Sequence, residues 1–191
     1  MKESLKERLN EILPKLISEQ FLSGKSLGND VPFHIFDYAA DEELEVRKHI
    51  AMLMDHLPKH RPGLRVKHLD LFDFMLDHLK SRNLLDKAIQ MQREKGDAAL
   101  KKALVGTLAE SKMGPLVAQV AQPNDHDLIL ISGAGSVWPL LRVHSLLNNF
   151  HAVFDNKPAV IFYPGSYDGQ SLRLFGKLAE NNYYRAFKLI P

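Results

Sequence analysis

The feature that most constrains the fold is a pair of continuous apolar runs, each closed by glycine. DLILIS (127–132) passes directly into GAGS, and PAVIFYPG (158–165) repeats the arrangement further along. A strand with one wet face alternates apolar and polar residues, so a run without alternation needs cover on both faces. A parallel sheet between helices supplies that cover.

Other segments fit the same plan. PFHIFDY (32–38), LRVKHLDLF (64–72) and YYRAFKLI (183–190) read as further strands. Asp41 is placed to cap the helix after the first of them, with Glu42 and Glu43 in its opening turn. FDFMLDHLKSRNLLDKAIQMQREKG (72–96) and DAALKKALVGTLAESKMG (97–114) read as helices parted at Gly96, and PLVAQVAQP extends the second. VWPLLRVHSLLNNFHAVF (137–154) reads as the helix after GAGS, and SLRLFGKL (171–178) as a short helix before the last strand. The expected fold is α/β, one Rossmann-like, degenerate P-loop-like layer of about five mostly parallel strands flanked by helices. One domain would span 1–191: an amphipathic helix in 1–22, a helical insertion over 71–122 and a C-terminal part over 127–191. In the first helix Leu5, Leu9, Ile12, Leu13, Leu16 and Ile17 form the stripe, and Pro14 should kink or divide it.

Composition narrows the chemistry. The chain has 191 residues and no cysteine, which removes disulfides, thiol nucleophiles and cysteine-ligated metals. A formal net charge of +2, with basic and acidic residues interleaved along helices, does not call for nucleic acid. No stretch is long and apolar enough for a membrane span, and MKESLKERLN lacks the apolar core of a signal peptide, so the cytoplasm is the expected location.

Two loops at expected strand ends are the candidate site, because ligands of open α/β sheets bind there. In SGAGSVWP the candidates are Ser132, Gly133, Gly135, Ser136 and Trp138, with Arg142 just beyond. In PGSYDGQS they are Pro164, Gly165, Ser166, Tyr167, Asp168, Gly169, Gln170 and Ser171, with Arg173 beyond. This second segment nearly spells G-x-x-x-x-G-K-[ST]: Gly169 and Ser171 hold their places, while Pro164 replaces the first glycine and Gln170 the lysine. A neutral amide cannot balance a triphosphate, so ATP hydrolysis is not expected. Backbone amides could still hold an anion, or the loops could be turns that contact a partner. Either arginine could fork onto a carboxylate or phosphate.

Other chemistry is less well founded. Ser132, Ser136, Ser166, His144 and Asp168 contain the residue types of a hydrolase triad, but GSYDG lacks the spacing of a nucleophile elbow. His68, Asp70, Asp73, Asp77 and His78 could approach a cation, yet apolar residues between them and a capping role for Asp70 explain them as well. No zinc site, other metal or cofactor is implied.

SGAGSVWP, RVHSLLNNF, and PGSYDGQSLRLFG followed by NNYYRAF, together with PFHIFDY, resemble the BrxB family. These are small proteins encoded in BREX (bacteriophage exclusion) defence operons. The resemblance implies a non-catalytic, antiviral role: a protein–protein adaptor that binds the alkaline-phosphatase-like PglZ subunit. Other partners would be the methyltransferase and the large ATPase, with DNA touched only within the complex. It carries over no catalytic residues. The alternative is a subunit that binds phosphate, nucleotide or nucleic acid through the two glycine-rich loops.

Overall fold

A computed structural model describes residues 4–23, 33–143, 146, 154, 157–180 and 186–191. Its strands are β1 (Phe33–Tyr38), β2 (Val66–Asp70), β3 (Leu128–Ser132), β4 (Ala159–Tyr167), β5 (Leu172–Leu174), β6 (Leu178–Glu180) and β7 (Phe187–Lys188). The α-helices are α1 (Leu5–Leu16), α2 (Glu19–Leu22), α3 (Glu43–His60), α4 (Leu71–Ser81), α5 (Leu85–Leu104) and α6 (Glu110–Ala121).

The main sheet runs β2-β3-β4-β1-β7, and every neighbouring pair in that path is parallel. The five-stranded parallel layer is therefore as expected. Each residue of β1 and of β3 is buried, and the period of two sorts them into separate cores. Phe33, Ile35, Ile129, Ile131, Ala159, Ile161 and Tyr163 join the core built with α4, α5 and α6. Phe36, Tyr38, Leu128, Leu130, Val160 and Phe162 join the core built with α1 and α3. A continuous apolar run is needed because neither face of these strands meets water.

The mid-chain helices α4, α5 and α6 form the crossover that joins β2 to its parallel neighbour β3. Gly96 interrupts α5 with φ 78°, as its composition predicts, but the chain also breaks after Ser81, at Asn83 with φ 53°, where a continuous helix is expected. The apolar stripe of the first helix is real and already used: Leu9, Ile12 and Leu16 lie in the core with α3. Ser4 and Glu7 form a capping box at the start of that helix. Pro14 falls in its last turn, and the segment divides just after it, α1 closing at Leu16 and α2 starting at Glu19 under the Ser18 cap.

Three further expectations change. Asp41 lies within a 3-10 turn, Ala40–Glu42, and the amide of Ala39 donates instead to Glu42 Oε2 at 2.9 Å. SLRLFGKL is no helix: β5 and β6 form an antiparallel hairpin there, with Leu174 opposite Leu178. Leu172 and Leu174 are buried and Arg173 exposed, an alternation of period two that the flanking glycine and the brevity of the run disguise. Finally, residues 134–141 are a succession of turns, with a cis Trp138–Pro139 peptide, and the helical residues Val143, Leu146 and Phe154 come after them. Half of the expected helix 137–154, His144 included, and the NNYY segment at 181–184 lie outside the described residues.

Candidate functional site

The two glycine-rich segments pack against each other at the C-terminal ends of β3 and β4. A Cβ on Gly135 would come within 2.9 Å of Pro164 Cγ and 3.0 Å of the Phe175 ring. The Trp138 ring meets Phe175 edge-on with centroids 6.1 Å apart, a favoured aromatic geometry. A small cleft between them is lined by Ala134, Trp138, Leu141, Arg142, Tyr163 and Leu174. The sequence reading missed Phe175 because it assigned its segment to a helix.

PGSYDGQS is not a phosphate loop. Pro164 to Tyr167 belong to β4 itself, which runs on past β1 after the Tyr38–Pro164 pairing. Gly165 is required there because a Cβ would sit 2.1 Å from the Arg173 carbonyl oxygen of β5. The following turn is closed by the Asp168 carboxylate, which accepts the amides of Gln170 at 2.9 Å and Ser171 at 2.7 Å. Those two bonds hold the Asp168 carboxyl below its usual range. The amides that would receive an anion already have one, covalently supplied.

The other positions where this fold could hold phosphate are similarly filled. The outgoing connections of β1 and β4 lead to opposite ends of the sheet order, so the crevice of an open α/β fold belongs between these strands. Here the Tyr167 amide donates to Asp37 Oδ2 at 3.0 Å, and the buried Tyr167 hydroxyl donates to the Ala186 carbonyl at 2.8 Å. Arg8 also binds Asp37, through Nη2 to Oδ1 at 2.8 Å and Nη1 to the carbonyl at 2.8 Å. The 3-10 turn before α3 carries Asp41 and Glu42, and the first turn of α3 Glu43 and Glu45, a repulsive entrance for any phosphate. In SGAGSVWP the amides of Ser136 and Val137 donate to the Gly133 carbonyl, at 3.1 and 3.2 Å.

Sequence order hides a second cluster. Ser132 Oγ donates to Asp70 Oδ2 at 2.9 Å and lies 2.9 Å from His68 Nε2. The hydroxyl has one proton and spends it on Asp70, so His68 must be the donor to Ser132. That is the reverse of what a nucleophile needs, since the histidine has to accept the serine proton. Asp70 also caps α4, accepting from the Phe72 and Asp73 amides at 2.8 and 3.2 Å. Burial pushes the His68 pKa down, with the neighbouring Asp70 and Asp73 opposing. Ser136 is likewise engaged, accepting from Arg47 Nη2 at 2.8 Å, while Arg47 Nε donates to Glu43 at 2.7 Å.

His56 and His60, overlooked in the sequence reading, stand four residues apart on α3 with ring centroids at 5.8 Å. His60 Nδ1 pairs with the His56 carbonyl at 3.0 Å. Among the described residues no group of three or more histidines, aspartates or glutamates is placed to hold a metal.

What remains accessible at the two loops is a face rather than a pocket. Trp138 is 39% exposed and Leu178 37%, Arg142, Ser166 and Arg173 are exposed beside them in sequence, and Tyr167 and Tyr163 are buried. A family model described as "BREX protein BrxB" matches residues 67–189. A protein of that name from Bacillus cereus (strain H3081.97) is 41% identical over 190 residues, covering 97% of each chain. Another from Escherichia coli O9:H4 (strain HS) is 35% identical over 187 residues, covering 98% of this chain and 92% of the relative. No solved structure matches the chain.

Proposed function

Because the chain belongs to the BrxB family of BREX proteins, we propose that it is a non-catalytic adaptor of an anti-phage BREX assembly. Its principal partner in this reading is the alkaline-phosphatase-like PglZ subunit, with the methyltransferase and the large ATPase as further neighbours. The face that docks the partner is formed by Trp138, Arg142 and Leu178, with Arg173 on the opposite side of the hairpin.

The observation that carries the reading is the interlock of the two segments. Gly135 leaves room for Pro164 and Phe175, and Phe175 supports Trp138 from beneath. A tryptophan beside an arginine, Trp138 with Arg142, is the composition of an interface hot spot. The same residues would serve a nucleotide poorly, because Asp168 already takes the turn amides and Tyr167 fills the crevice beside β1. The N-terminal stripe, the other surface the sequence offers to a partner, is folded onto the protein's own sheet.

Size-exclusion chromatography with light scattering tests this, using the full chain alone and mixed with the PglZ protein of its own operon. A stoichiometric complex that Trp138→Ala weakens, without a change in the melting curve, supports the adaptor. A complex insensitive to Trp138→Ala and Arg142→Ala moves the interface elsewhere. No complex removes PglZ as the direct partner.

A further inference from the structure

The sheet has an open edge at β2. Among the described residues this strand, in the path β2-β3-β4-β1-β7, pairs on one side alone, and it is the least buried of the four long strands, with Leu69 its one buried residue. Arg65 directs its carbonyl to the amides of Asp127 and Leu128, at 2.8 and 3.3 Å. In a parallel ladder a residue turns both its N–H and its C=O to the same neighbour, and the next residue turns them away. By that alternation Lys67 and Leu69 serve β3, and His68 directs its amide and carbonyl outward.

A groove of about 460 Å³ follows this edge, lined by Lys67, His68, Leu69 and Asp70 on the strand side. Its helical wall comes from α4, with Asp73, Phe74, Asp77, His78 and Ser81, and from α6, with Leu116 and Val120. Val120 is 42% exposed, an apolar side chain turned to water beside an unpaired strand.

From this arrangement we infer that the β2 edge is a second docking site, which takes an extended basic segment of a partner protein as an added strand between α4 and α6. Strand addition supplies the backbone bonds, and side-chain pockets supply the choice of sequence. The choice here is electrostatic. Asp73 and Asp77 face the groove beside one ammonium of the strand, Lys67; Asp77 is paired with the exposed Lys80 at 3.1 Å, and Asp70 is engaged by Ser132 and the cap of α4. Asp73 and Asp77 stand one helical turn apart, a rise of about 6 Å, close to the roughly 6.6 Å between alternate residues of a strand. Basic side chains two residues apart on the added strand can therefore reach Asp73 and Asp77, with their aliphatic stems passing over Leu116 and Val120. The edge is short and carries Lys67, which discourages self-pairing between copies of this chain.

The test uses the full chain and two fluorescent nine-residue peptides with blocked ends, one alternating lysine with valine and the other glutamate with valine. Anisotropy titration is expected to show the lysine peptide binding at least about tenfold more tightly than the glutamate peptide. Val120→Arg and the pair Asp73→Asn with Asp77→Asn should each weaken it at least about fivefold. All three positions lie on helix surfaces, and circular dichroism melts confirm folding; should the double variant unfold, Val120→Arg decides. Bound peptide should also slow hydrogen exchange at the His68 amide, read by NMR. The inference is overturned if the lysine peptide fails to bind at millimolar concentration, binds Val120→Arg as it binds the unaltered chain, or leaves His68 exchange unchanged when bound.

Discussion

The Ser132 hydroxyl donates to the Asp70 carboxylate at 2.9 Å, and that same carboxylate caps α4. One side chain thus fastens the end of β2 to the end of β3 and starts the crossover that connects them. Gly133, with φ 78°, follows so closely that a Cβ would stand 2.6 Å from Asp70 Oδ1.

Asp70→Ala should therefore lose both a helix cap and a cross-strand bond, about 2 kcal/mol together. Asp70→Asn keeps an acceptor for the cap and a donor for Ser132, so its loss should stay under about 1 kcal/mol. Urea unfolding midpoints measure both. Equal midpoints for the alanine variant and the unaltered chain would show that the latch contributes nothing.

Gly165→Ala presses a methyl group onto the Arg173 carbonyl at 2.1 Å, against backbone that cannot swing away. The hairpin must separate from β4, with a loss above about 2 kcal/mol. Gly169→Ala provides the contrast. It has open space but φ 97°, and strain alone should cost about 1 kcal/mol. A thermal melt that ranks Gly169→Ala below Gly165→Ala would contradict the packing described here.

The parallel layer was legible in the sequence because its cause is local: DLILIS and PAVIFY are apolar without alternation, and burial on both faces is what that pattern requires. The hairpin after β4 was not. Its strands are three residues each, too short for period two to stand out from a helical spacing, and the pairing of β5 with β4 is a matter of tertiary packing. The Ser132–His68–Asp70 cluster was hidden for another reason. Its members lie at the ends of strands far apart in the chain, and the register Asp70–Ser132 that joins them is a property of the sheet. Likewise the two candidate loops could be paired by position at strand ends, whereas the role of Phe175 beneath Trp138 could not.

Tyr167 separates structural from interfacial roles within the signature segment. It is 1% exposed, and its hydroxyl donates to Ala186. Tyr167→Phe should lose about 1 kcal/mol of stability with partner affinity unchanged. Trp138→Ala should do the opposite, weakening the complex by about 2 kcal/mol, roughly thirtyfold, with little change in unfolding. Parallel melts and binding isotherms distinguish the two patterns. A shared loss in both variants would mean that the face and its support cannot be separated.

A nucleotide or phosphate that bound the native state would raise the melting temperature by mass action. With Asp168 on the turn amides and Asp41, Glu42 and Glu43 in the 3-10 turn and first residue of α3, the expected shift with millimolar ATP and magnesium is zero. A clear upward shift would restore the ligand-binding alternative.

The Arg65–Asp127 pair yields a prediction with a defined sign. Arg65 contacts Asp127 through its backbone amide at 3.0 Å, Nε at 3.1 Å and Nη2 at 2.8 Å, joining the start of β2 to the start of β3. The guanidinium and amide bonds hold the Asp127 carboxyl down at about 2, against about 3.9 for an unfolded aspartate. A carboxyl with a depressed folded value binds protons more readily when unfolded, so stability falls as acid is added. Its contribution is complete above about pH 4 and disappears as the pH drops through 2. The pair is partly exposed, which limits its worth to about 1 kcal/mol. Urea midpoints of the unaltered chain and Asp127→Ala should differ by that amount at pH 7 and converge towards pH 2. A gap that persists undiminished in acid would locate the role of Asp127 in packing instead of charge.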